Sequence, residues 1–116
     1  MIIREKERRV EVAEQMRGGD GCIIKQLYEP AQMPPRARLL SEMRIEPGCS
    51  IGTHVHKGEY EIFFFKQGEL VLNDNGEERV VHAGDMSICY DGEIHGLANH
   101  SEETALVYAV IVKTED

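Results

Sequence analysis

The sequence predicts an all-β domain, a small barrel or jelly roll with a short N-terminal arm, and three observations support this. Short runs of apolar and β-branched residues recur between residues 22 and 113, with turn residues between them. The dipeptide Asn75-Gly76 separates two such runs, and both residues tolerate the positive φ angles of a type I′ turn. No long segment shows a sustained helical period. About eight strands at this spacing favour a barrel over a parallel sheet with crossover helices.

The N-terminal residues 1–21 are predicted to form an irregular arm. Val10, Ala13 and Met16 have helical spacing, but the pattern is too short and too weakly apolar for more than one helical turn. The glycine-rich segment 18–21 is a turn, because no Gly-Lys-Ser/Thr follows it as in a phosphate-binding loop. A strand is predicted over residues 22–28, followed by a proline-containing loop.

From residue 37 onward, strands alternate with turns. The predicted strands are residues 37–46, 50–56, 60–66, 69–72, 78–82, 86–90, 94–98 and 104–113. The last of these is apolar on both faces. We therefore expect it to be buried by the barrel interior on one side and by a second sheet or a partner subunit on the other.

Length and charge narrow the function classes. A chain of 116 residues suits a single domain covering residues 1–116, and its formal net charge is −8. An acidic chain with no block of Lys or Arg is not expected to bind nucleic acid. No apolar run is long enough for a membrane span or a signal peptide, so we expect a cytoplasmic protein. Small ligands and metal ions are the favoured partners.

Three cysteines, Cys22, Cys49 and Cys89, are an odd number without a CxxC pair. We expect reduced, mostly buried side chains rather than disulfides or a zinc knuckle.

Three histidines and one carboxylate form the candidate metal site. His54 and His56 are two apart in one predicted strand, so both side chains point to the same face. Glu61 begins the next strand after a turn at Gly58, and His95 lies in a strand far along the chain. If they converge inside the barrel, they make a mixed nitrogen and oxygen site for a divalent transition metal.

Other residues compete for this role. Glu59 is the alternative carboxylate, but it adjoins the expected turn, whereas Glu61 opens an apolar strand where a carboxylate needs a partner. His82 and His100 are interpreted as surface residues, because a lone histidine is more often solvated than metal-bound.

These residues resemble the two sequence signatures of the cupin superfamily. The first signature is complete, and it consists of Gly48, His54, His56, Glu61 and Gly68. The second matches at Gly84, Gly92, His95 and Asn99, with Tyr90 where the family usually has proline. The resemblance covers residues 37–113 and is greatest to small single-domain cupins described as oxalate-decarboxylase-like or sugar-isomerase-like.

The resemblance implies a conserved β-barrel (a jelly roll, or double-stranded β-helix), a central metal held by His54, His56, Glu61 and His95, and a homodimer. Because Glu61 is present, the site differs from that of the thiol dioxygenase cupins. The ligand set favours Mn or Fe, then Ni, Co or Zn.

Two functions fit such a site. The first is a metal-dependent enzyme, a dioxygenase, decarboxylase or isomerase, acting on a small carboxylate or sugar derivative. The second is a non-catalytic cupin that binds a small ligand and uses the metal structurally.

A mostly apolar pocket is predicted beside the metal. Its expected lining is Met43, Phe63, Phe65, Leu97 and Tyr108. The other polar candidates are Tyr90, Glu42, Arg44 and Arg38. Strict alternation from an inward Met43 points Glu42 and Arg44 outward. No catalytic acid or base is assigned.

Overall fold

The computed structural model describes residues 1–115, which form ten strands and three 3₁₀ turns. The strands are β1 (Arg9–Glu14), β2 (Cys22–Leu27), β3 (Ala37–Ile45), β4 (Ser50–Val55), β5 (Glu59–Gln67), β6 (Glu69–Asp74), β7 (Glu77–His82), β8 (Met86–Cys89), β9 (Ile94–Ala98) and β10 (Ala105–Lys113). The 3₁₀ turns are Glu5–Glu7, Met16–Gly18 and Pro30–Gln32. The all-β fold class predicted from the sequence is confirmed. No helix within residues 1–115 has the length and apolar character needed to span a membrane.

Two antiparallel sheets make up the fold. One has six strands in the order β1-β2-β3-β10-β5-β8, and the other has four in the order β4-β9-β6-β7. Neighbouring strands in these orders are mostly distant in the sequence, as expected of a jelly roll rather than a meander. The arrangement brings residues from β4, β5 and β9 into one interior.

The core lies between the two sheets. The six-stranded sheet contributes Met43, Phe63 and Val107, and the four-stranded sheet contributes Leu70 and Leu97, all at most 2% exposed. Each strand alternates between this interior and the outer surface, because successive side chains point to opposite faces. Inward Met43 is buried, while Arg44 beside it is exposed, as alternation predicts.

The closing strand β10 has two different faces. Its inward residues, Ala105, Val107, Ala109 and Ile111, are buried, whereas the outward residues between them are only half-buried. No second sheet covers that outer face among residues 1–115.

The N-terminal arm is more ordered than predicted. Residues 9–14, expected to be irregular or to form a helical turn, are strand β1, which pairs along its whole length with β2. The helical spacing was misleading because Val10 and Val12 follow a period of two on an edge strand and are 60% and 56% exposed. Such a strand buries little apolar surface, so its periodicity carries little signal. Its stability comes from backbone pairing with β2.

The turn at Asn75-Gly76 has the predicted backbone conformation, and a second glycine turn precedes β4. Asn75 and Gly76 have φ of 53° and 93°, as a type I′ turn between β6 and β7 requires. Gly48 has φ of 82°, and the Cys49 amide donates to the Glu46 carbonyl at 3.0 Å, which closes a type II turn before β4.

Candidate metal centre

The four predicted ligands meet in the barrel interior. One ligand atom each from His54, His56, Glu61 and His95 lies within 4.8 Å of the other three. The Glu61 Oε1 atom is 3.0 Å from His56 Nε2 and 2.9 Å from His95 Nε2. His56, Glu61 and His95 are at most 5% exposed, and His54 is half-buried.

A bulge in β4 turns His54, within the strand, and His56, directly after it, toward the interior. Ile51 pairs with Leu97 and His54 pairs with His95, so three steps along β4 match two along β9. With strict alternation, an inward Ile51 would leave His54 facing outward. The extra residue reverses the phase and delivers both His54 and His56 to the interior.

Oxygen atoms orient two of the imidazoles. His54 Nδ1 lies 2.7 Å from the Gly52 carbonyl oxygen, and His56 Nδ1 lies 2.6 Å from Glu59 Oε2. When the ring is neutral and Nδ1 donates its proton to that oxygen, the Nε2 atom has a lone pair directed into the cluster. A histidine held in this way is set up as a metal ligand.

The cluster fits a divalent cation. The Nε2 atoms of His54 and His56 are 3.1 Å apart, as are those of His56 and His95. Two lone pairs at this distance repel each other unless a proton or a cation lies between them. Three imidazole nitrogens and one carboxylate suit a divalent transition metal.

The electrostatics of the metal-free cluster have opposite effects on its members. Burial alone would raise the pKa of Glu61. With no ion present, Nε2 of His56 and of His95 can hold a proton and donate it to Glu61, and these hydrogen bonds outweigh burial and lower the pKa to about 2. The hydrogen bond to Glu61 raises the pKa of His56. Burial lowers the pKa of His54, and the positive charges of His95, His56 and Arg17 lower it further, against an opposing hydrogen bond to Gly52. The carboxylate is therefore charged and ready for a cation.

Glu59 has a different role from that of a ligand. Its carboxylate accepts the His56 Nδ1 proton and also two hydrogen bonds from the Arg38 guanidinium, at 2.7 and 2.9 Å. The Arg38 hydrogen bonds lower the pKa of Glu59, against a smaller opposing effect of burial. Of the two carboxylates weighed from the sequence, Glu61 joins the cluster and Glu59 orients one of its histidines.

A cavity of about 190 Å³ opens onto this cluster. Its lining residues are Met16, Arg17, Lys25, Arg38, Leu39, His54, His56, Glu61 and Ile111. Three of the nine are cations. Within residues 1–115, Arg38 is paired with Glu59, but no carboxylate oxygen lies within 4.0 Å of the charged nitrogens of Arg17 or Lys25.

The cavity is lined differently from the apolar pocket predicted by the sequence. Met43, Phe63, Phe65 and Leu97 lie in the buried core instead of lining the cavity. Phe63 packs against the cluster from the core, because its ring stacks on the imidazole of His95 with the ring centroids 4.8 Å apart and the ring planes at 7°.

Tyr108 does not line this site. It lies on the outward face of β10, where its hydroxyl is 3.4 Å from Lys66 Nζ. The inward positions of β10 are the odd-numbered ones, because Val107 and Ala109 are the buried residues. The prediction that Tyr108 lines the pocket is corrected accordingly.

Sequence reasoning missed Arg17 and Lys25 and left Arg38 unassigned. Ile111 pairs with Leu39 and Val112 with Ala37, so a bulge at Arg38 interrupts the alternation that would have pointed this residue outward. Arg17 lies in the arm predicted to be irregular. The pairing of β1 with β2 and the packing of their connecting loop on β4 bring it to the cavity.

The remaining histidines lie elsewhere. His82 is on the surface, with Nε2 3.3 Å from Glu69 Oε2, and its side chain is 61% exposed. His100 is exposed in the loop after β9. The three cysteines are free, and Cys89 is buried.

Comparisons with known proteins identify the family and agree with the fold. The cupin domain family matches residues 41–112. The oxalate-binding protein of Thermotoga maritima is 36% identical over 113 residues, which cover 97% of this chain and 93% of that protein. A crystal structure from the same organism, described as a predicted oxalate decarboxylase, superimposes with a TM-score of 0.91 at 35% identity, covering 97% and 99% of the two chains. KdgF from Halomonas sp. shares the fold, with a TM-score of 0.80 at 18% identity over 100% of this chain and 96% of that one. The chain belongs to the cupin family.

Proposed function

We propose that this cupin binds a small carboxylate anion of the size of oxalate at a divalent metal ion held by His54, His56, Glu61 and His95. The observation that carries the proposal is the cationic lining of the cavity that leads to these residues. The chain as a whole has a net charge of −8, whereas three cationic side chains line this one small cavity, so the charge around the cavity differs in sign from that of the whole chain. Such a cavity attracts anions and disfavours neutral ligands.

Each group around the cavity has a distinct part in binding. The imidazoles and Glu61 would hold the ion, which would supply a Lewis-acidic charge for a carboxylate oxygen. Glu59 fixes the orientation of His56. Arg17, Lys25 and Arg38 would neutralise the remaining charge of the anion.

The similarity to the Thermotoga maritima oxalate-binding protein supports this ligand class. The volume of the cavity, about 190 Å³, also favours a small anion. We infer Mn or Fe as the preferred ion, followed by Ni, Co or Zn, because imidazole and carboxylate ligands suit all of these.

A second candidate is a metal-dependent enzyme that converts the same class of anion, as a decarboxylase, dioxygenase or isomerase. It is favoured by the fact that three of the four ligand residues, His54, His56 and Glu61, line the cavity, so that an ion there would be reachable by a substrate. However, no carboxylate except Glu61 lines the cavity within the described residues, which leaves no acidic side chain free for proton transfer. Binding is therefore our first choice.

The test is calorimetric titration of oxalate into protein loaded with Mn²⁺ and into protein stripped with a chelator. We expect binding only to the loaded protein, with an affinity that falls as salt is raised. Equal binding to both forms, or none to either, would contradict the proposal. Consumption of oxalate over hours, with release of CO₂, would favour the enzyme.

We further propose that two copies of the chain pair through the outer face of the six-stranded sheet. This face carries exposed apolar residues, including Phe64 at 45% and Met86 at 53%. From the rise per residue and the spacing between strands, one face of this sheet has an area of about 700 Å². This is close to the surface of about 800 Å² that each partner buries in a standard interface. Sedimentation at micromolar concentration should give a dimer, and Phe64→Asp should give a monomer. A monomeric wild-type chain would exclude the pairing.

A further inference from the structure

We propose that the loop between β1 and β2, residues 15–21, determines which anions bind, with Arg17 binding the carboxylate group of a dicarboxylate that lies farther from the metal ion. The inference rests on the proposed function and assigns a specificity-determining residue to it. Arg17 lies outside the segment matched by the cupin family, residues 41–112.

The loop reaches the site directly. Met16 and Arg17 line the same cavity as His54, His56 and Glu61. Arg17 is exposed, so it lies at the mouth of the cavity, where an entering anion would meet it.

The loop backbone is held in one conformation. Gln15 and Arg17 have φ of 47° and 56°, and they are two of the four non-glycine residues with positive φ within residues 1–115. Such conformations persist where the surrounding structure enforces them, and they concentrate at functional sites. Here the Gln15 amide donates to the Gly21 carbonyl at 2.8 Å, which closes the loop.

The loop also packs tightly on the strand that carries the histidines. A Cβ atom at Gly52 would lie 1.9 Å from the Arg17 carbonyl oxygen, and one at Gly19 would lie 2.2 Å from the Ser50 carbonyl oxygen. Only glycine permits this approach. The Asp20 amide donates to Ser50 Oγ at 2.8 Å, and the Ser50 amide donates to the Asp20 carbonyl at 2.9 Å. The position of Arg17 relative to His54 is thus fixed through β4.

The charge of Arg17 is available to a ligand. Arg38, on the other side of the cavity, gives two hydrogen bonds to Glu59, whereas no carboxylate oxygen within residues 1–115 lies within 4.0 Å of the Arg17 guanidinium nitrogens. Most cations of a chain with 21 acidic residues would be expected to have an acidic neighbour. An unpaired guanidinium at a cavity mouth has all of its donors free for an anion.

Arg17 is better suited than Lys25 to recognise a carboxylate group. A guanidinium is planar and forms two parallel hydrogen bonds to the two carboxylate oxygens, whereas an ammonium acts as a point charge. Lys25 is half-buried on β2 and contributes positive potential to the cavity. Discrimination between a dicarboxylate and a monocarboxylate therefore falls to Arg17.

The experiment compares wild type with Arg17→Gln, Arg17→Lys and the control Arg44→Gln, each loaded with Mn²⁺. Arg44 is an exposed cation that pairs with Glu46 at 2.6 Å, away from the cavity. Calorimetry measures the dissociation constants of Mn²⁺, oxalate and acetate. We expect Arg17→Gln to weaken oxalate binding about tenfold or more, since a hydrogen bond to a charged group is lost. Acetate and Mn²⁺ binding should change less than about twofold, because neither uses Arg17. Arg17→Lys should fall between the two, and the control should match wild type.

The outcomes are distinct. If wild type binds oxalate and Arg17→Gln binds it equally well, the assignment of Arg17 is wrong and the proposed function stands. An equal loss of oxalate and acetate would also overturn it, because Arg17 would then supply general attraction without selecting dicarboxylates. If wild type binds no carboxylate with Mn²⁺ present, the proposed function itself fails, together with the role of Arg17. Unchanged Mn²⁺ affinity in Arg17→Gln shows that the variant is folded.

Discussion

The two faces of the six-stranded sheet each carry a carboxylate, buried on the inner face and half-buried on the outer face, and the charges around these two carboxylates differ. On the inner face, Glu61 Oε1 lies 3.0 and 2.9 Å from Nε2 of His56 and His95, and these two Nε2 atoms are 3.1 Å apart, so that a proton or a cation is needed between them. On the outer face, Glu42 lies 3.5 Å from Lys66 Nζ and 3.7 Å from an Arg8 nitrogen. The outer carboxylate already has its cations within the chain. The inner one lies in a cluster that still needs one, and this difference is our physical argument for a metal ion.

The largest expected effect comes from removing a ligand on the inner face. His56→Ala should abolish stoichiometric metal binding and leave Glu61 buried without one of its partners, which destabilises the metal-free protein by about 3–5 kcal/mol. The stabilisation by metal, about 2.7 kcal/mol at a hundredfold excess over the dissociation constant, should vanish as well. Elemental analysis and thermal unfolding with and without Mn²⁺ measure both effects.

His82→Ala is the matched control, because His82 is exposed and pairs with a single carboxylate. It should change stability by less than about 0.5 kcal/mol and leave metal content unaltered. Metal retained in His56→Ala would remove His56 from the ligand set.

Adjacent phenylalanines test the two faces without changing any charge. Phe63 is 1% exposed and stacked on His95, whereas Phe64 is 45% exposed on the outer surface. Phe63→Ala should destabilise the protein by about 3–5 kcal/mol through lost burial and a cavity under the cluster. Phe64→Ala should lower the free energy of unfolding by less than about 1 kcal/mol. Urea titrations at one protein concentration give both values, and similar losses would contradict the assignment of faces.

The inner carboxylate should give the metal-free protein a distinctive pH dependence. Because folding lowers the pKa of Glu61 from 4.5 to about 2, the unfolded chain binds more protons between these values. The resulting stabilisation, about 3 kcal/mol, is fully present above pH 4.5 and lost as pH falls toward 2. His56 has the opposite effect on the pH dependence of stability. Because folding raises its pKa, its contribution to stability is fully present below pH 6.5 and is lost as pH rises through the pKa of the folded state.

The metal-loaded protein should differ. Protons compete with the ion for the imidazoles as pH falls through about 6.5 and below, so the stability gained from Mn²⁺ should shrink there. Thermal melts of the metal-free protein between pH 2 and 8 measure its own pH dependence, and melts of both forms between pH 4 and 8 measure the difference in stability between them. A difference that is constant across this range would contradict metal binding by histidines.

A smaller effect is expected at Glu59, which orients His56. Glu59→Gln should weaken metal binding by about 10–100-fold while leaving one ion per chain, as is typical of residues that position a metal ligand. Glu42→Gln is the control on the outer face, where the carboxylate is far from the cluster. Competition with a chelating dye measures the affinities. If Glu59→Gln and Glu42→Gln have the same metal affinity, the hydrogen bond between Glu59 and His56 does not affect metal binding.

The four residues of the cluster could be predicted, because their spacing along the strands places them on the inner face. The lining of the cavity could not be predicted, because it depends on bulges in the strands. His54, His56, Glu61 and His95 could be picked out from strand spacing and turns. The bulge that reverses β4 and the one at Arg38 have no signature in an alternation pattern, since they depend on pairing with β9 and β10.

The N-terminal arm illustrates the same limit. β1 exposes nearly all of its side chains, so no apolar period marks it, and its strand conformation comes from the hydrogen bonds of β2. The position of Arg17 depends on contacts of Gly19 and Gly52, residues more than 30 positions apart. Long-range backbone approach of this kind cannot be read from local sequence.

We propose that His54, His56, Glu61 and His95 together hold one metal ion. An anomalous difference map from crystals of the protein grown with Co²⁺ tests this directly. We expect a single strong peak per chain, at about 2.0–2.2 Å from Nε2 of His54, His56 and His95 and from a carboxylate oxygen of Glu61. Absence of a peak between these atoms, or a peak only at surface residues such as His82 and Glu69, would contradict it.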